Sequence, residues 1–193
     1  MNYVFIGLSG SGKTVAANFF QGKNITLQVD KDLLDNHIVL PKNITSTTRN
    51  PRPGEIDGVD YNFFSKSVFL NKIKNDEFAE YAEVFDDYYG LERKELEKYK
   101  HSIIIHDPQG AETLKNNAKN IITIYFDVSV ENSLKRMIER NDNPLDIEKR
   151  MKKIQYFLEY KNKCDYVVDC NRNIKLVLRE INDIFKHYID YRS

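Results

Sequence analysis

Residues 7–14 read Gly7-Leu8-Ser9-Gly10-Ser11-Gly12-Lys13-Thr14, the spacing G-x-x-x-x-G-K-[ST] of a loop that wraps polyphosphate. At average residue usage its chance occurrence in a chain this long is roughly one per cent or less, so a Gly/Ser turn with a stray lysine is the weaker reading. The residue types fit the chemistry. Glycines let backbone N–H groups turn inward with no Cβ in the way, and the N-terminus of the following helix adds partial positive charge. Lys13 is a mobile cation for the β- and γ-phosphates, and the Thr14 hydroxyl suits a Mg²⁺ ion. The loop therefore predicts binding of a nucleoside triphosphate, with Gly7 to Thr14 as its contacts, and leaves open where the γ-phosphate goes.

The elements that must position this loop are legible on either side of it. Residues 3–6 form an apolar run that reads as a buried strand, and residues 15–20 read as the helix that follows. Further strand-like runs fall at 25–29, 102–106, 121–126 and 166–168. Ile174, Val177, Leu178, Ile181, Ile184, Phe185 and Tyr188 recur at helical spacing over 174–189. Strands alternating with helices predict an α/β fold with a largely parallel sheet. Ligands in such sheets sit at the carboxyl ends of the strands, where the loop and Asp107 would meet. Two segments interrupt the core. Residues ~44–92 carry prolines, glycines, tyrosines and mixed charge and read as a small inserted α+β unit. Residues ~130–163 read as two charged helical stretches joined at Asn141-Asp142-Asn143-Pro144, with Asp146 placed to cap the second.

Composition narrows the classes. The chain has 193 residues, with 29 Lys+Arg balanced by 29 Asp+Glu. That balance calls for neither nucleic acid nor an anionic membrane as partner. No long apolar stretch and no signal-peptide pattern is present. Cys164 and Cys170 form neither a C-x-x-C pair nor part of a ligand set. A cytoplasmic, reduced protein is the expectation. A phosphate-loop core carrying two insertions suggests a nucleotide kinase whose flaps close on substrate.

The segment from Thr45 through Arg49-Asn50-Pro51-Arg52-Pro53-Gly54-Glu55 to Tyr61-Asn62-Phe63 resembles the guanylate kinase signature. The resemblance continues through Phe78-Ala79-Glu80-Tyr81 and Tyr88-Tyr89-Gly90 and resumes at Asp107-Pro108-Gln109-Gly110, so it spans most of the chain. It implies a P-loop NTPase core with a parallel sheet (~1–43, ~93–129 and ~164–193), a GMP-binding α+β insertion (~44–92) and a short helical lid (~130–163). It also implies ATP-dependent phosphorylation of GMP, with Mg²⁺ as cofactor. Arg49, Arg52, Tyr61 and Tyr89 match positions that hold the acceptor phosphate. Guanidinium forks pair bidentately with phosphate, and tyrosine hydroxyls add neutral donors. Glu80 matches the guanine-reading carboxylate, which can accept from N1–H and the exocyclic amine together, a pair of donors adenine lacks. Thr45 matches a hydroxyl near the base, and Asp107 an acid near base and metal. Arg136, Arg140 and Arg150 match lid arginines that neutralise charge during transfer.

Three features depart from that pattern. Leu91 stands where the family has Ser or Thr reaching guanine O6, a lost contact of about 1 kcal/mol. Ile105 stands where an acid is common, and residues 24–40 form an extra segment that reads as a surface loop or helix. These departures keep two alternatives open: a kinase for dGMP or a modified purine nucleotide, and a binding module of the same fold without catalysis. The intact Lys13 and Thr14 argue against the second.

Overall fold

The computed structural model describes residues 1–23, 29–52, 54–84 and 86–190. A four-stranded parallel sheet in the order β6-β1-β7-β8 forms the centre, from β1 (Asn2–Ile6), β6 (Ser102–Ile105), β7 (Ile121–Asp127) and β8 (Tyr166–Asp169). The expected strand at 25–29 lies, apart from Val29, outside the described residues. Lys42 instead bridges in parallel to Ile103, so residues 41–43 extend the sheet beyond β6.

Helices cover both faces, which is why these strands read as continuous Val/Ile/Phe runs. Successive side chains point to opposite sides. Tyr3, Phe5, Ile103, Ile124 and Phe126 pack with Phe19 and Phe20 of α1 (Lys13–Phe20) and with Leu178, Ile181 and Phe185 of α9 (Ile174–Asp190). Val4, Ile6, Ile104 and Tyr125 pack on the other side with Ala111 and Leu114 of α5 (Pro108–Asn117), and with Leu91 and Tyr160.

The first insertion builds a second sheet in the order β3-β2-β5-β4. Its strands are β2 (Ser46–Thr47), β3 (Asn62–Phe63), β4 (Phe78–Val84) and β5 (Asp87–Glu92), with α3 (Lys66–Lys74) beside them. The second insertion holds α6 (Val130–Glu139), α7 (Pro144–Met151) and α8 (Ile154–Tyr160), three helices rather than two stretches. The cap of α7 is Asn143, whose side chain accepts from Leu145 N–H; Asp146 sits in the first turn instead. Pro144 occupies the first helical position, which places the cap one residue before it. The extra segment before Thr45 includes a short surface helix, α2 (Lys31–Asn36). Arg179 and Lys175 of α9 pair with Asp30, and Arg179 also reaches Asp32. Among the described residues, no helix is long and apolar enough to cross a membrane.

Candidate functional site

The phosphate loop leaves β1 and enters α1 at the carboxyl end of the central sheet. Gly7 has φ +143°, and a Cβ there would lie 2.5 Å from the Phe126 carbonyl oxygen, so only glycine fits this approach to β7. The Lys13 ammonium donates to Gly7 O (2.7 Å), Leu8 O (2.8 Å) and Ser11 Oγ (3.2 Å). Burial lowers its pKa to about 7, with Arg140 and Arg150 adding to the effect against an opposing influence of Cys170. The ammonium thus satisfies itself on loop carbonyls at the point where polyphosphate oxygens would sit.

The second insertion braces this loop. Ser133 Oγ donates to Ser9 O at 2.7 Å, and Arg136 donates to Gly10 O (2.9 Å) and Cys170 O (3.1 Å). Arg140 and Arg150 both bind Asp142, Arg140 through Nε at 2.7 Å and Arg150 through Nη1 at 2.6 Å. A cavity of about 580 Å³ opens between these groups, lined by residues 9–15 together with Arg52, Tyr61, Arg136, Arg140, Arg150 and Arg172. Cys170, Ile174 and Val177 give it one apolar wall. No carboxylate lines it: Asp142, which anchors Arg140 and Arg150, and Asp146, which pairs with Arg52, lie outside its lining, so the wall itself is cationic, the electrostatics expected for a polyphosphate site. Cys170 is buried, which pushes its thiol up to about 12 and leaves it unreactive.

Arg52 and Tyr61 also line a neighbouring cavity of about 210 Å³ with Thr14, Lys42, Thr45, Glu55 and Ile105. A third, of about 210 Å³, is lined by Thr45, Tyr61, Tyr89, Gly90, Ile105, His106 and Asp107. A fourth, of about 290 Å³, joins Arg49, Arg52, Tyr89 and Asp107 to Asp146 and Arg150. Thr45, Arg49, Arg52, Tyr61, Tyr89 and Asp107, read from the sequence as acceptor residues, thus line three adjoining cavities, and Arg52 and Tyr61 connect them to the phosphate loop. Arg49 is held ready by Glu55, whose two oxygens each accept from Nη2 at 2.9 Å, and its guanidinium lies 5.5 Å from the Tyr61 ring centre. Arg52 reaches Asp146 across the cleft at 3.7 Å.

Glu80 is the exception. Its side chain is 0% exposed and lines none of these four cavities, whereas its hydrogen-bond partner His106 lines the third. Glu80 Oε1 accepts from His106 Nε2 at 2.6 Å, and Oε2 is buried with no partner among the described residues. His106 Nδ1 lies 3.0 Å from the Asp107 amide nitrogen and 3.5 Å from Asp107 Oδ1. Burial alone would lower the imidazole pKa; the Glu80 and Asp107 carboxylates outweigh it and raise it to about 10. The ring lies against Gly110, where any Cβ would overlap it. Asp107 caps α5, accepting from Gly110 N–H at 2.8 Å. Sequence reasoning passed over His106; its one signal was an imidazole directly before the strand-ending acid. Leu91, directly opposite Glu80 in the β4–β5 ladder, is 0% exposed and packs in the core, so its side chain faces no cavity.

For a metal ion, the donor set fits one carried in on nucleotide phosphates. Thr14 lines the two cavities that meet at the phosphate loop, and no group of three metal-ligating side chains occurs among the described residues to hold an ion unaided.

The sequence model of the guanylate kinase family matches residues 2–188. The guanylate kinase of Clostridium perfringens (strain 13 / Type A) is 34% identical over 187 residues, 94% of this chain and 80% of that protein. That of Rickettsia prowazekii (strain Madrid E) is 37% identical over 162 residues, 80% of this chain and 81% of that protein. The crystal structure of guanylate kinase from Anaplasma phagocytophilum superposes with a TM-score of 0.69 at 25% identity, covering 97% of this chain and 85% of that one. The match runs through the phosphate loop, both insertions and the closing helix, and this chain belongs to the guanylate kinase family.

Proposed function

We propose that this chain catalyses transfer of the γ-phosphoryl group of ATP to GMP, giving ADP and GDP. The observation that carries the reading is the continuity of the cationic donor cavity with the acceptor cavities through Arg52 and Tyr61 in a guanylate kinase family member. An acceptor phosphate oxygen attacks the γ-phosphorus while the bond to the β–γ bridging oxygen breaks and ADP departs. The monoester is already ionised at neutral pH, so no residue has to remove a proton. The protein's work is positioning and charge neutralisation.

In this reading Gly7 to Thr14 wrap the ATP phosphates, and Lys13 leaves its loop carbonyls for the β- and γ-oxygens. Thr14 would hold a Mg²⁺ ion, which when bound neutralises those oxygens. Arg49, Arg52, Tyr61 and Tyr89 fix the acceptor phosphate, with Thr45 and Asp107 along the nucleoside. Arg140 and Arg150, positioned by Asp142, neutralise the moving phosphoryl group together with Arg136. Glu80 supplies the two acceptors that guanine N1–H and its amine require. His106 holds one of them in this arrangement, so base binding exchanges an imidazole N–H for purine N–H groups. Residues ~44–92 serve as the acceptor-binding unit and ~130–163 as the lid, whose closure excludes water and prevents plain hydrolysis.

The test is a coupled assay of ADP formation with ATP, Mg²⁺ and each of GMP, dGMP, AMP, UMP and CMP. ADP formed with GMP and dGMP alone is the expected result. Equal rates with AMP, or no stimulation by any acceptor, would overturn the reading.

A further inference from the structure

Lys42 has no part in the mechanism above, yet it sits where that mechanism needs charge. Its backbone is fixed: Ile103 N–H donates to Pro41 O at 2.9 Å and Asn43 N–H donates to Ile103 O at 2.8 Å, so the residue is pinned beside β6. It lines the cavity that also holds Thr14, Thr45, Arg52 and Tyr61, the space between the phosphate loop and the acceptor residues. Among the described residues its ammonium makes no hydrogen bond and no ion pair.

The acids nearby do not supply one. Both oxygens of Glu55 accept from Arg49, and Oε2 also accepts from Arg52 N–H at 2.7 Å. Asp60 Oδ2 accepts from Ile56 N–H at 2.8 Å. Ile105, on the same wall, offers no counter-charge. Burial and Lys23 lower the Lys42 pKa against a weaker pull from Asp60, so the ammonium carries a desolvation cost that no hydrogen bond or ion pair among the described residues offsets. A half-buried cation with no hydrogen bond or ion pair among the described residues, in a cavity whose two carboxylates, Glu55 and Asp60, are engaged by Arg49 and by backbone N–H groups, suits a dianion that brings its own oxygens.

We propose that Lys42 is a further acceptor-phosphate residue, whose ammonium meets the monoester dianion on the Thr14 side of the cavity it shares with Arg52. This rests on the assignment of that cavity to the acceptor nucleotide. Lys42 binds the group in the ground state and keeps binding it as transfer proceeds, so its loss acts mainly on acceptor affinity.

The experiment compares GMP with guanosine, which lacks the phosphate, on the wild-type chain, Lys42→Met and Lys42→Arg, using calorimetry for GMP and ligand-observed NMR for guanosine. A charge-assisted contact predicts GMP binding weakened about 10- to 100-fold in Lys42→Met, guanosine binding unchanged, and most of the GMP affinity restored in Lys42→Arg. GMP affinity equal in wild type and Lys42→Met would overturn the proposal. So would a parallel loss of GMP and guanosine binding, which marks a residue that only supports the pocket's shape. A wild-type chain that binds no GMP would overturn both this proposal and the acceptor assignment, whereas tight wild-type binding with an indifferent Lys42→Met overturns this proposal alone.

Discussion

Replacing His106 by alanine should cost more stability than any exposed histidine could. The Glu80 side chain is 0% exposed, Oε1 has His106 Nε2 as its donor at 2.6 Å, and Oε2 has none among the described residues. The substitution would leave a carboxylate buried with no hydrogen bond on either oxygen. Breaking a buried pair in this way costs about 3–5 kcal/mol, a large part of the roughly 5–15 kcal/mol that holds a domain folded. The pH dependence has a definite sign. His106 carries a folded pKa of about 10 against an ordinary value of 6.5, so its contribution is complete below about 6.5 and is lost as pH rises through 10. Urea unfolding of wild type and His106→Ala from pH 6 to pH 10 measures the difference. Lys13 titrates in the same range with the opposite sign, but it is common to both proteins and cancels. The gap should be widest at pH 6 and narrow steadily above pH 7. Adding Glu80→Gln to His106→Ala should recover part of the loss by removing the stranded charge. A gap under about 1 kcal/mol at pH 7, or one that does not narrow with pH, would refute the pairing argument.

Lys13→Ala and Arg49→Ala should each lower turnover by about a hundredfold or more while far-UV circular dichroism stays native; near wild-type rates in either would refute the assigned role. ATP binding at pH 8 should take up protons, because burial holds the Lys13 pKa near 7 and the arriving phosphates pull it back up. Calorimetry in buffers of different ionisation enthalpy would read that uptake, and Lys13→Met should abolish it. Leu91→Ser should destabilise the fold by about 2–5 kcal/mol in urea before any hydroxyl can serve the base, since Leu91 packs with Val4, Ile6 and Ile104 in the core; unchanged stability would place its side chain elsewhere.

What the sequence made legible is what the chain encodes locally. The phosphate loop is one contiguous turn whose glycines answer to their own backbone angles, and the buried strands announce themselves as apolar runs because helices cover both faces. The arginines and tyrosines proposed to hold the acceptor could be picked out because they lie in short segments with characteristic neighbours. What stayed hidden depends on register between distant segments. The β4–β5 ladder shifts between Phe78 and Glu80, so Ala79 has no partner and Glu80 comes to lie opposite Leu91. That single offset decides which side chains share a face. It directs Leu91 into the core, where a missing hydroxyl is a packing fact before it is a recognition fact. It also brings Glu80 against His106, 26 residues away and just past the end of β6 in the other sheet. Lys42 was hidden for the same reason, since only the bridge to Ile103 places it at the cleft. A charged residue in sequence is usually a solvated one. Glu80 is fully buried and Lys42 partly so, and burial sorts them oppositely: the acid has an internal donor, and the lysine has no hydrogen-bond or ion-pair partner among the described residues. If the cleft receives a dianion as proposed, the cation without a partner among the described residues is the one whose partner comes from outside the chain.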